Sequence, residues 1–377
     1  MKRIKVFLKK YIVDIVKYSN TFIGFKKSYR TYYKAAKKKI YKNNLVPISS
    51  NYMKSINRFW EEYNLKVNSG GYKYFYKSTQ NENPFYIPED VFFKHIINKL
   101  NRFDLVKAYM DKNNYDKIFD SIIKTPNTII RKIGEYYYDY NYNLLNFNEA
   151  LDTVISKAKS SKIIIKPSIA SGGGKDVILL DLIGKGNDEL HCTIDKKIKN
   201  YDFDYIVQEF FKQTSVLDHL YPYSVNTMRI VTFEFNGDIK VLASILKVGN
   251  NKSHLDKVSE GGFSCGINSN GSLNDYALGK DVSNKIYEHP ITNVKFKDII
   301  IPNFDVVLSK VKLMHSKISP YFKFISWDMT LSEKNEPVLI EMNLRNQGIN
   351  LPQLHCGPIF GENTKEILNS ILKKRDK

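Results

Sequence analysis

The chain has 377 residues, 42% of them hydrophobic and 13% aromatic, enough apolar material for a large core and two or three domains. Its net charge is +19, but residues 1–42 alone hold 14 Lys or Arg against one acid, Asp14, so the remainder is close to balanced. Cys192, Cys265 and Cys356 lie far apart, which leaves no basis for a disulfide framework or a cysteine zinc site and fits a reducing, cytoplasmic setting; no apolar run reads as a signal peptide or a membrane span.

In residues 1–42, Ile4, Phe7, Leu8, Tyr11, Ile12, Ile15 and Val16 recur at helical spacing opposite a lysine-rich face. Two uses fit this pattern: a helix docked on the body with solvated lysines outside, or peripheral contact with an acidic membrane surface or another anionic polymer. No nucleic-acid-binding module is recognisable, so no nucleic-acid partner is expected. Residues 1–120 as a whole read as a basic, largely helical region. It holds a turn-rich patch at Asn68-Ser69-Gly70-Gly71 and a helix opened by Pro88-Glu89-Asp90.

Residues 121–200 read as a small α+β domain. TPNTIIRKIGEYYYD suggests two short strands about Gly134, and NFNEALDTVISKAK suggests a helix leading into KIIIKPSIASGGGKDVILLD at 162–181. In that stretch two β-branched runs flank a glycine-rich loop. A Walker-type loop needs a helix and a Ser or Thr directly after its lysine, whereas Asp176 follows Lys175 and the chain continues as strand, so that reading fails. What fits is a mobile lid, following Ser171, in which the N–H groups of Gly172, Gly173 and Gly174, unobstructed by Cβ atoms, approach phosphate oxygens between Lys166 and Lys175; taken alone, the stretch also suits an ordinary hairpin turn. Residues 184–200 are polar and read as a loop or linker.

Residues 201–377 form the third region. YIVQEFF is a buried strand interrupted by Gln208 and Glu209, and RIVTFEF and IKVLASILKV flank an Asn236-Gly237 turn with Lys247 near the second strand's end. A glycine-rich loop SEGGFSCGINSNG, a helix near 303–317 and a last hairpin, FKFISWDMT then PVLIEMN, follow. If Lys334-Asn335 is the hairpin tip, Asp328 lies opposite Glu341 and Asn343 shares Glu341's face. A solvent-facing polar stripe would look the same, but Glu341 and Asn343 end an apolar strand, where burying an unpaired carboxylate is costly. Three hard oxygen donors together suit Mg²⁺.

A lysine-flanked glycine lid, Gln208-Glu209 in a buried strand and a separate carboxylate-amide set together resemble the ATP-grasp superfamily. The likeness is closer to the sugar-transfer-associated ATP-grasp family, related to α-L-glutamate ligases. It runs from Asp111-Lys112 to Gln353 through IIIKPSIASGGGKDV, IVQEFF, SVNTMRIVTF, GGFSCGI, His289-Pro290 and SWDMT…PVLIEMN. The resemblance implies an α+β ATP-grasp fold in which two subdomains clasp ATP behind the helical N-terminal region. It implies that Lys166 and the 171–175 loop hold the phosphates and that Gln208, Glu209, Phe210 and Phe211 form the adenine hinge. It gives Arg229 and Lys247 the developing acyl phosphate, and Asp328, Glu341 and Asn343 the Mg²⁺; Arg131 or Lys132 supplies an earlier basic residue. GGFSCGI is the candidate contact for the acceptor. One departure is Ser326, where the family commonly has glycine. The implied chemistry is ATP-driven joining of a carboxylate, such as a glycan uronic acid, to an amine or amino acid. A kinase and a non-catalytic membrane- or polymer-binding protein are the alternatives.

Overall fold

The computed structural model describes residues 46–169, 176–201 and 204–373, so the expected N-terminal amphipathic helix and the 171–175 loop, including Ser171, Gly172, Gly173, Gly174 and Lys175, lie outside it. The chain divides between Phe92 and Phe93, upstream of the boundary expected at residue 120.

In the first unit, helix Ser50–Glu61 starts where the Ser49 side chain accepts the Tyr52 N–H, and it buries Tyr52, Ile56, Phe59 and Trp60 at three- and four-residue spacing. The Gly70-Gly71 pair expected in a turn opens a second helix, Gly70–Thr79. Trp60 Nε1 donates to the Tyr72 hydroxyl, which donates to the Tyr86 carbonyl at 2.9 Å, so the buried polar atoms of this aromatic core are matched.

The second unit contains two antiparallel sheets. The first has the order β3-β2-β1-β6-β4-β5, built from β1 (Thr128–Ile133), β2 (Tyr136–Asp139), β3 (Leu144–Leu145), β4 (Ile163–Pro167), β5 (Ile178–Leu180) and β6 (Tyr205–Glu209). The glycine-rich hairpin is confirmed, since β4 pairs with β5 through Ile163–Leu180, Ile164–Leu179 and Ile165–Ile178. The boundary expected at residue 200 would sever this sheet, because β6 lies between β1 and β4. Residues 187–199, expected as part of a linker, are helix Asn187–Lys199. Its Leu190, Ile194 and Ile198 are the buried face of an otherwise polar segment, and they pack with Leu151 and Val154 of helix Phe147–Ala158 beneath Ile130, Ile165 and Val207.

The second sheet has the order β11-β10-β9-β8-β7-β12-β13. Its central strands are β7 (Thr227–Phe235), β8 (Asp238–Val248), β9 (Phe263–Ile267) and β12 (Phe324–Leu331). β13 (Pro337–Asn343) forms one edge, and β10 (Leu273–Leu278) with β11 (Lys285–Ile286) forms the other. Asn236 and Gly237, at φ 54° and 86°, make the left-handed turn between β7 and β8. Val307, Val311 and Met314 of helix Phe304–Ile318 join Ile230, Leu246, Trp327 and Met342 in the main core. The expected glycine-rich loop at 259–271 is partly β9, buried at all five positions.

The β12–β13 register matches expectation through two departures that cancel. Asn335 N–H donates to the Ser332 carbonyl and Ser332 N–H to the Glu336 carbonyl, so the tip spans three residues, 333–335, instead of two. The register is then offset, with Met329 opposite Leu339, until a bulge at Ile340 restores Asp328 opposite Glu341 and Ser326 opposite Asn343. No helix among the described residues is long and apolar enough to cross a membrane.

Candidate functional site

Alternation along the second sheet sends Ile230, Leu246, Trp327 and Met342 into the core, so their neighbours Arg229, Lys247, Asp328 and Glu341 share the opposite face. On that face Arg229 donates through Nε and Nη2 to the two oxygens of Asp328, both at 2.8 Å, and Lys247 Nζ reaches Oδ2 at 3.2 Å. Such a fork on a carboxylate combines charge with fixed direction. Burial would raise the Asp328 carboxyl, but the charges of Arg229 and then Lys247 outweigh it and hold the group well below the ordinary carboxylate range.

Glu341 meets a cation from the other sheet's side of the unit. Lys112 Nζ donates to Glu341 Oε1 at 2.9 Å, with side chains only 5% and 17% exposed. A short turn holds Lys112: the Asp111 carboxylate accepts the Asn113 N–H, and the Lys112 N–H donates to the Ser168 carbonyl just past β4. Lys166 stands near the end of β4. Burial, followed by the charge of Lys112, lowers its ammonium to about 7, against the opposing pull of Glu341. The charges of Lys112 and Glu341 thus act on Lys166 in opposite directions.

Asn343 lies beyond Glu341 with its Nδ2 buried and unmatched, and so does the Ser326 hydroxyl opposite it. Glu341 keeps Oε2 outside its ion pair, and that oxygen is of the kind that suits a hard cation such as Mg²⁺; the unmatched atom of Asn343 is its amide nitrogen, a donor, so only the Asn343 Oδ1 would join it. Asp328 has both oxygens engaged by Arg229 and Lys247 and can join a metal only as those contacts lengthen. Among the described residues there is no group of three or more His, Cys, Asp or Glu side chains gathered for a metal.

At the end of β6, side chains and backbone of the expected hinge alike make contacts within the sheet and to its neighbours. The buried Gln208 amide donates to the Pro126 carbonyl at 2.9 Å and to Thr128 Oγ1 at 3.2 Å, while Glu209 Oε1 meets Lys157 Nζ at 3.2 Å. The N–H groups of Glu209 and Phe210 donate to the carbonyls of Asn127 and Lys162. The rings of Phe210 and Phe211 beside them are half-buried.

Arg131 is fully buried on β1, paired with Asp116 and lying 4.4 Å from the Tyr142 ring centroid, and Lys132 alternates to the other face of that strand. The earlier basic residue that the geometry brings to the cluster is Lys112. A pairing across 229 positions has no local periodicity to betray it, and only the Asp111-Lys112 dipeptide at the start of the matched stretch was visible. Asp256, whose Oδ2 lies 3.5 Å from Lys247 Nζ and accepts the Thr227 hydroxyl, was also missed because it sits in a loop without pattern. GGFSCGI supplies an interior strand, β9, in which Ser264 is the register partner of Lys247 and lies on the same face of the sheet.

Two antiparallel sheets and a face where lysines and an arginine meet carboxylates are what the ATP-grasp class would present. Residues 92–369 match the family described as sugar-transfer associated ATP-grasp, and the chain belongs to that family. No curated protein matches the chain. Among solved structures it is similar to an L-amino acid ligase from Bacillus licheniformis, with 15% identity over 72% of this chain and 49% of that one, at a TM-score of 0.38. It is also similar to D-alanyl-alanine synthetase A from Vibrio cholerae O1 biovar eltor, with 13% identity over 70% and 66% of the two chains, at a TM-score of 0.37. The match spans about half the length of the Bacillus ligase.

Proposed function

We propose that the protein is a Mg-ATP-dependent carboxylate–amine ligase acting in the cytoplasm. The proposed substrates are a uronic acid of a surface-polysaccharide precursor and an amino acid or other amine. The observation that carries this reading is the seating of Arg229 and Lys247 on Asp328 and of Lys112 on Glu341, the register partner of Asp328, with the Lys166 ammonium under the charges of Lys112 and Glu341. Cations in that number suit a polyphosphate, and the paired acids suit the metal that accompanies it. The glycan part is supported by the family description alone.

In this reading the substrate carboxylate oxygen attacks the γ-phosphorus and ADP leaves. The amine then attacks the acyl carbon, phosphate departs, and the amine proton is lost to give an amide. Lys112 and Lys166 hold the phosphates, and Arg229 and Lys247 face the charge that develops on the acyl oxygen. Glu341 and Asn343, joined by Asp328, would hold Mg²⁺, which would supply charge neutralisation at the phosphoryl group. The 171–175 loop is the proposed cover that keeps water from the acyl phosphate.

The test is mass spectrometry of products from Mg-ATP with uronic acids or sugar nucleotides, with and without amino acids, using Glu341→Ala as the blank. The expected product has the mass of acid plus amine minus water, requires ATP and is absent from the variant. A stable phosphorylated product formed without regard to amines would replace the ligase reading with a kinase.

A further inference from the structure

Lys247 is shared between two carboxylates that differ in kind. Asp328 is already gripped at both oxygens by Arg229, and its contact with Lys247, at 3.2 Å, is the longest of its three. Asp256 belongs to no strand or helix and comes from the loop of residues 249–262. Its Oδ2 accepts the Thr227 hydroxyl and lies 3.5 Å from Lys247 Nζ. Thr227 and Lys247 are register partners on β7 and β8, so Asp256 spans two adjacent strands at one level of the site's face.

The loop is built to present that carboxylate. Gly249 enters it where a Cβ would lie 2.4 Å from the Tyr221 ring, and Gly262 leaves it where a Cβ would lie 2.5 Å from the Val248 carbonyl oxygen. Gly261 stands at φ 101°. Separate ties fasten the loop elsewhere: the Tyr221 hydroxyl donates to the Ser253 carbonyl at 3.0 Å, His254 Nδ1 pairs with the Tyr223 carbonyl at 3.1 Å, and Asn250 Nδ2 donates to the Gly261 carbonyl at 3.1 Å. Removing the Asp256 carboxylate therefore leaves these fastenings in place and unlinks only the contact to Thr227 and Lys247.

We propose that Asp256 is the positioning residue for Lys247. It holds the ammonium away from full collapse onto Asp328 and aimed at the nucleotide's phosphates, and Thr227 fixes the direction of the carboxylate. The inference rests on the nucleotide-binding part of the ligase reading and adds to it a third carboxylate with no metal role. An amide at position 256 still accepts from Thr227 but loses the charge that balances Lys247, which then turns to Asp328 alone.

The experiment is a double-mutant cycle read by calorimetric titration of the full chain with the non-hydrolysable analogue Mg-AMPPNP. Asp256→Asn is expected to weaken binding about tenfold to thirtyfold, the lower part of the range for a lost charge-assisted contact. In a Lys247→Met background the same substitution is expected to change affinity by less than about twofold, because the residue through which it acts is gone. Thr227→Val, which leaves both charges in place, should weaken binding in the same direction by less, and Asp256→Glu should recover part of the affinity. Asp256→Asn binding within twofold of the native chain would overturn the proposal, as would an equal loss with and without Lys247, which would mark a merely structural role. The native chain showing the expected coupling but joining no acid to any amine would sink the ligase reading and leave the role of Asp256 standing.

Discussion

Lys166 shows how a single side chain can report ligand binding through its proton. Burial and the neighbouring Lys112 lower its ammonium from 10.5 to about 7, so between those values the folded chain releases a proton that the unfolded chain would keep. The sign follows: the unfolded state binds more protons in that window, so this group's contribution to stability increases as pH rises through it and is lost again as pH falls toward 7. Phosphates placed against Lys166 favour its charged form and reverse the shift. Nucleotide binding measured midway through the window, in two buffers of different ionisation enthalpy, should therefore show net uptake approaching about one proton. Lys166→Met should abolish the uptake and weaken binding. Equal enthalpies in the two buffers would remove the phosphate role of Lys166.

At the scale of elements, hairpins were legible and ion pairs were not. Asn236-Gly237 announced β7 and β8, and β-branched runs announced β4 and β5, because turn chemistry and a period of two are local signals. Helix Asn187–Lys199 escaped because only Leu190, Ile194 and Ile198 mark its buried face, and β9 escaped because serine and glycine fill a strand that is buried on both sides. The pairing of Asp328 with Glu341 across the hairpin was read correctly, although the tip was one residue longer than assumed, because the Ile340 bulge absorbed the difference. Lys112 and Asp256 are positioned by loops and could be found only in three dimensions. A backbone contact at an element's end has its own prediction. Gly249→Ala would place a Cβ 2.4 Å from the Tyr221 ring and 2.7 Å from Ser224 Oγ. It should lower stability by about 1–3 kcal/mol in urea denaturation, as overpacking does. Unchanged stability would show that the Tyr221 ring is free to yield.

Over the whole molecule the charge is divided by position. Residues 1–42 carry a net +13, and the portion that holds the cluster is nearly balanced. Membrane attraction of a polybasic segment is screened by salt, whereas the short, largely buried pairs at Asp328 and Glu341 are screened much less. We expect a chain lacking residues 1–42 to retain nucleotide affinity and to lose co-sedimentation with vesicles containing anionic lipid. Equal co-sedimentation of the two chains would end the case for a membrane role of that segment.

The pairing of Arg229 and Lys247 with Asp328, and of Lys112 with Glu341, also bears on how a turnover ends. A site whose cations carry internal counter-ions need not wait for water to displace a spent polyphosphate. In the proposed reaction, as ADP and phosphate loosen, each carboxylate would recapture its own lysine or arginine. Recoil of this kind would favour departure of products over their rebinding, and leave the empty protein with little appetite for stray inorganic anions.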